Sequence, residues 1–143
     1  MLVKDAMNRN VKITRADDTV KNAAKTMTSY RIGSLVVVSG AGKVIGIVTE
    51  RNILNSVVAT GRNSKEVKIE EIMTKDPITI SPDKTLEDAA EIMTKNKIKK
   101  LPVIENGKLI GIITASDLIA YEKELIEMIA KALIVSPFKS IGG

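Results

Sequence analysis

A mixed α/β fold of the α+β type, built from two β-α-β-β-α repeats that pack on each other, is predicted by two observations. The stretch "VIGIVTERNIL", Val44 to Leu54, returns about 65 residues later as "LIGIITASDLI", Leu109 to Ile119. The runs "SLVVVS" and "VIGIV" are of strand length and rich in Val and Ile, which suits strands covered on both faces. A single copy of about 60 residues can hardly provide such cover alone, so the two copies must provide it for each other.

The doubled phrase extends into a whole repeat. "VKDAMNRNVKITRADDTVKNAAKTMTSYRIGSLVVVSGAGKVIGIVTERNIL" aligns with "IEEIMTKDPITISPDKTLEDAAEIMTKNKIKKLPVIENGKLIGIITASDLI" through one single-residue gap, where "SGAGK" faces "ENGK". A gap of this kind belongs in a surface turn. Identical pairs run the whole length, among them Met7/Met73, Asp17/Asp83, Thr19/Thr85, Ala23/Ala89, Met27/Met93, Leu35/Leu101, Gly46/Gly111 and Thr49/Thr114. The expected organisation is a first repeat over 1–58, a linker over 59–68, a second repeat with an extended C-terminal helix over 69–135, and a tail over 136–143.

Each element has a local reason. "VKITR" and "PITIS" alternate as short strands. Asp17 and Thr19, matched by Asp83 and Thr85, stand at helix starts, where side-chain oxygens cap free N–H groups. Val20, Ala23, Ala24 and Met27, matched by Leu86, Ala89, Ala90 and Met93, recur at i, i+3, i+4 and i+7 and give each helix one apolar stripe. "LVVVSGAGKVIGIVT" and "LPVIENGKLIGIIT" are paired β-branched runs joined by Gly-containing turns, which predicts hairpins. Thr49 and Thr114 close the second strand of each hairpin and cap the helix that follows. In the second copy that helix continues through "YEKELIEMIAKALIV" to Ser136-Pro137, with Leu118, Leu125, Ile129 and Leu133 as its stripe. Such a stripe packs on its own module or on a partner.

Composition narrows the function. The chain has 143 residues, of which 44% are hydrophobic, and no Cys or His. Disulfides, thiolate metal sites, Cys nucleophiles and the commonest general base are therefore excluded, and an enzyme is not expected. No apolar run approaches the ~20 residues of a membrane span, and "MLVKDAMNRN" lacks the apolar block of a secretory signal, so a cytoplasmic location is expected. A net charge of +5 suits an anionic partner. Nucleic acid is the alternative partner, disfavoured by the shortage of aromatics for stacking, which are Tyr30, Tyr121 and Phe138.

The duplicated unit, with "GIVTERNI" and "GIITASDL" as Gly-hydrophobic-x-Ser/Thr-x-x-Asp motifs and "LPVI" starting a middle strand, resembles a tandem pair of CBS domains, also called a Bateman module. The resemblance covers almost the entire chain. It implies two copies packed through their sheets about a pseudo-twofold axis, with two clefts for adenine nucleotides or S-adenosyl compounds, in a regulatory rather than catalytic role. No cofactor is required on this reading, and the implied ligands are AMP, ADP, ATP or S-adenosylmethionine. A homodimer and a client protein are the implied partners.

The doubled phrase also has a chemistry of its own. Thr114 ends a strand and Asp117 lies in the first turn of a helix, so a hydroxyl and a carboxylate stand together near free N–H groups. The pair suits a ribose diol, with Gly111 leaving room for the ligand. Thr-x-x-Asp is equally a capping box, and both readings stand. By the resemblance, Lys99 and Lys100 reach ligand phosphates, Ile32, Gly33 and Ser34 contact the base from the other copy, and Thr14 and Ala16 line the same slot. The second cleft, with Thr49, Asn52, Arg51, Ile98 and Ile80, should bind more weakly, because Asn52 offers one uncharged acceptor oxygen where Asp117 offers two charged ones.

Overall fold

The computed structural model describes residues 1–134, so the expected helix end at Ser136-Pro137 and the tail lie outside the described residues. The chain opens with a single turn of helix, α1 (Val3–Ala6), followed by β1 (Ile13–Arg15), α2 (Val20–Tyr30), β2 (Ser34–Val38) and β3 (Val44–Thr49). A short helix α3 (Glu50–Ile53) then widens into a π-turn over Leu54–Val58. A 3-10 turn at Ile69–Glu71 and β4 (Thr74–Lys75) lead to α4 (Leu86–Asn96), β5 (Lys100–Glu105), β6 (Lys108–Thr114) and α5 (Ala115–Ile134).

Both copies begin and end their first long helix alike. Thr19 and Thr85 accept hydrogen bonds from Asn22 N–H and Asp88 N–H, and Asp88 returns the bond to Thr85 N–H at 3.1 Å. Each helix closes on a residue in the left-handed region, Arg31 and Lys97, both at φ 54°. Ile32 and Ile98 then donate to the carbonyls of Met27 and Met93 at 3.0 Å, a closure that satisfies the last carbonyls. The apolar stripe is narrower than expected: Ala23, Ala89, Met27 and Met93 are buried, whereas Ala90 is exposed. The half-buried Ile92 packs on the second core beside Ala89 and Met93.

β2 is buried at every position, in keeping with its unbroken apolar run. It pairs in parallel with β1 and antiparallel with β3. β5 and β6 form the matching hairpin, closed by Asn106 and Gly107, both with positive φ, as a two-residue turn of this hand requires. The first strand of the second copy is reduced. "PITIS" makes no strand, only an isolated parallel bridge between Ile80 and Val103. In the first copy Val36 N–H donates to the Lys12 carbonyl at 3.3 Å. Pro102 holds the matched position and has no N–H to give, so the ladder shrinks to the bonds around Ile80.

The two hydrophobic cores do not follow the division of the sequence. The first holds Val20, Ala23, Met27, Leu35, Val37 and Val48 together with Val67 from the linker and Ile69 and Ile72 from the start of the second copy. The second holds Leu86, Ala89, Met93, Leu101, Val103 and Ile113 together with Val3 and Met7 from the very start of the chain. Each copy lends its leading segment to the other. The residues read as a linker therefore include Val67, which is 2% exposed inside the first core. β4 adds to the edge of β3, and Asn8 makes the corresponding bridge to Ile112 of β6. The paired glycines make this crossing close: a Cβ on Gly46 would lie 2.5 Å from Met73 Sδ, and one on Gly111 would lie 2.6 Å from Met7 Sδ. The space beside Gly111 is thus filled by Met7, where the sequence suggested room for a ligand.

Candidate functional site

The crossing brings the starts of β2 and β5 face to face. Ser34 and Lys100 are matched positions in the two copies, and Lys100 Nζ donates to Ser34 Oγ at 2.7 Å. Ser34 is only 8% exposed and Lys100 is half-buried. Removal from water is the main cause that pushes the Lys100 ammonium below its ordinary pKa of 10.5, and the Glu50 carboxylate acts in the opposite direction. Glu50 occupies the space over Gly33, its Oε1 lying 2.5 Å from where a Gly33 Cβ would be. Backbone bonds anchor both strand starts alike: Glu50 N–H donates to Gly33 O at 3.0 Å, and Ala115 N–H donates to Lys99 O at 2.8 Å.

Around this contact lies a cavity of about 630 Å³, well within the size of small-molecule sites. Its walls come from both copies: Gly33, Ser34, Ile47, Thr49 and Arg51 on one side, Thr74 to Ile78 (except Lys75) and Lys97 to Lys100 on the other. Ile47, Pro77, Ile78 and Ile98 form an apolar slot, and Arg51, Lys97, Lys99 and Lys100 bring positive charge. The arrangement offers apolar side chains beside cationic donors, which suits an apolar ring joined to an anionic group.

The cavity gathers the expected site residues in a different combination. Gly33, Ser34, Lys99 and Lys100 meet Thr49, Arg51 and Ile98, which the sequence reading placed in the weaker cleft. Thr114 and Asp117 stand apart from that cavity's walls. There Asp117 Oδ2 accepts from Thr114 N–H at 2.9 Å while Asp117 N–H donates to Thr114 Oγ1 at 3.1 Å, a reciprocal cap. Asp117 borders a second groove with Met1, Asp5, Tyr121 and Glu124. Asn52 makes the same cap with Thr49, its amide oxygen accepting from Thr49 N–H at 2.9 Å and Thr49 Oγ1 at 3.0 Å. Ile32 borders an outer groove between α2 and α3. Thr14 sits in β1 opposite Val37, and Ala16 packs against the first core. Ile80 is 5% exposed within the second core. Pro77, Ile78 and Lys97 were missed, although "KNKIKK" already held Lys97 and the Pro77-Ile78 pair replaces Val11-Lys12 of the first copy.

Among the described residues no group of acidic side chains could hold a metal ion, and no helix is long and apolar enough to cross a membrane.

The duplicated unit and the mixed α/β fold are those of a CBS-domain pair. The CBS domain pattern is matched twice, over residues 3–59 and 69–124, and the chain belongs to the CBS domain family. It is 38% identical over 107 residues to the mitochondrial CBS domain-containing protein CBSX3 of Arabidopsis thaliana, a match that covers 72% of this chain and spans about half (52%) of that relative's length. Among solved structures, the CBS-domain containing protein ATU1752 from Agrobacterium tumefaciens superposes with a TM-score of 0.78 at 33% identity, covering 85% of this chain and 99% of that one. The structure of CBSX2 in complex with AMP shares the fold, with a TM-score of 0.76 at 23% identity over 87% of this chain and 97% of that one.

Proposed function

We propose that this chain is a regulatory module that binds an adenine nucleotide or S-adenosyl ligand in the inter-copy cavity and passes the resulting change to a client protein. The observation that carries the reading is the cavity itself, with its apolar slot of Ile47, Pro77, Ile78 and Ile98 beside Arg51, Lys97, Lys99 and Lys100. The slot suits adenine, and Lys100 suits the first phosphate. That CBSX2 is known in complex with AMP is in keeping with this use of the fold. A ligand that prefers the folded chain raises its melting temperature by mass action. Calorimetric titration with AMP, ADP, ATP and S-adenosylmethionine tests the proposal. Failure of all four to bind below millimolar, with binding of duplex DNA or RNA instead, would replace it with a nucleic-acid function.

The ribose role of Asp117 is a separate question. If its second carboxylate oxygen accepts ribose hydroxyls in a further cleft, Asp117→Asn will reduce binding there by about tenfold or more, since a charge-assisted hydrogen bond contributes ~1.5–3 kcal/mol. Asn caps about as well as Asp, so stability should barely move. Unchanged stoichiometry and affinity in Asp117→Asn would leave Asp117 as a cap alone. Asn52→Asp is the converse variant, and a gain in affinity is expected if residue 52 faces the ligand.

The chain also acts as a homodimer on this reading, with α5 as its contact. Leu118 packs on the second core, but Leu125, Ile129 and Leu133 are 41%, 52% and 49% exposed, so the stripe does not fold back on its own module. Ile126 and Met128, at 57% and 63%, widen the uncovered surface. Ile129→Glu should convert a dimer to a monomer in light scattering and leave the melting of the monomer little changed. A wild-type monomer at working concentration would eliminate the homodimer.

A further inference from the structure

Four cations line the inter-copy cavity against one carboxylate in its walls, Asp76, with the Glu50 carboxylate close by and acting on Lys100. Among the described residues the ion pairs are Lys4 with Asp83 and Arg62 with Glu71, so none of Arg51, Lys97, Lys99 and Lys100 is paired. The four cations outnumber Asp76 and Glu50, the excess positive charges repel one another, and an anion of high charge relieves that repulsion. They also differ in depth. Lys100 is half-buried at the Ser34 contact, whereas Arg51, Lys97 and Lys99 are exposed at the rim. Positive charge therefore runs from the floor of the cavity outward.

We infer that the cavity selects a nucleoside di- or triphosphate over the monophosphate and over S-adenosyl compounds, with the first phosphate at Lys100 and the later ones at Arg51, Lys97 and Lys99. The inference rests on the proposed nucleotide site and names which of its ligands the charges prefer. A monophosphate satisfies Lys100 and leaves the rim cations unmatched. A second and third phosphate extend to groups whose guanidinium and ammonium donors are suited to phosphate oxygens. S-adenosylmethionine brings a sulfonium and an ammonium into the same positive field and gains least.

Titration of the full chain with ATP, ADP, AMP and S-adenosylmethionine, without divalent cations, tests the order. ATP is expected to bind about tenfold or more tightly than AMP, with S-adenosylmethionine weakest, and the ratio of ATP to AMP affinity should shrink as salt is raised and the exposed cations are screened. Inorganic tripolyphosphate should compete with ATP. In the triple variant Arg51→Gln, Lys97→Gln, Lys99→Gln that ratio should fall toward one. The rim residues are exposed, so the variant should fold, and its melting temperature verifies this. AMP or S-adenosylmethionine binding as tightly as ATP would overturn the selectivity and leave the nucleotide site standing. No binding by any of the four would overturn the site and the selectivity together.

Discussion

Replacing Leu101 with alanine will lower the free energy of unfolding by about 2–5 kcal/mol, the cost of deleting a fully buried leucine and leaving part of its cavity open. Leu101 is 0% exposed and sits in the second core beside Val3, Met7 and Ile113. For a chain of this size the melting temperature should drop by roughly 10 °C. The matched variant Leu35→Ala, in the first core, should cost a similar amount. More telling is the shape of the transition. Each core is completed by a segment whose chain neighbours belong to the other, so loss of one core releases part of the other. Calorimetry should record a single transition in the wild type and in both variants. Two separate transitions, with Leu101→Ala moving only one, would show that the crossed segments do not couple the halves.

Lys100→Gln should weaken nucleotide binding by about ten- to a hundredfold, the equivalent of one charge-assisted hydrogen bond of ~1.5–3 kcal/mol. Glutamine can keep a hydrogen bond to Ser34 Oγ, so the fold should survive and the loss should come from the missing charge. The pH dependence has a definite sign. Burial holds the Lys100 pKa below 10.5, so the affinity it supplies is present below the lowered value and is lost as pH rises through it, before an ordinary lysine would titrate. Stability changes in the opposite direction. Between the lowered pKa and the ordinary one the unfolded chain binds more protons at this residue than the folded chain, and stability contributed by Lys100 rises with pH. Titrations on the alkaline side, in wild type and Lys100→Gln, separate this lysine from the rest. Equal affinities for the two proteins at neutral pH would remove Lys100 from the site.

The elements were legible where the cause is local. Threonine caps, the 3.6-residue stripe and the Asn106-Gly107 turn each depend on a few neighbouring residues, and all are present in the structure. The single bridge at Ile80 was also written in the chain, but only as the missing N–H of Pro102, which matters through a partner some 20 residues away. The crossing was not legible. Periodicity marks Val3, Met7, Ile69 and Ile72 as apolar without saying which core will take them, because both copies offer nearly the same surface. For the same reason the cavity combines residues assigned to different clefts. Lys99 and Lys100 are at the start of β5, and which Thr-x-x-Asp/Asn motif they face is decided by the packing of the two copies, not by spacing within either. The capping of Asp117 and Asn52 was foreseeable from Thr-x-x-Asp and Thr-x-x-Asn, and both caps are formed.

The exchange of leading segments has a consequence for how the chain is made. During synthesis the first copy emerges complete in sequence yet with its core unfinished, because Val67, Ile69 and Ile72 have still to leave the ribosome. The opening residues wait longer: Asn8 has no partner until Ile112 of β6 is made, and Met7 has no seat until Gly111 arrives. Val3 and Met7 are thus made long before the strands that bury them. Contacts so far apart along the chain form slowly and leave apolar surface open in the meantime. A nascent chain halted before β6 should therefore be open to proteases around Val3 to Asn8, and release of β6 should close that segment and the second core in one step.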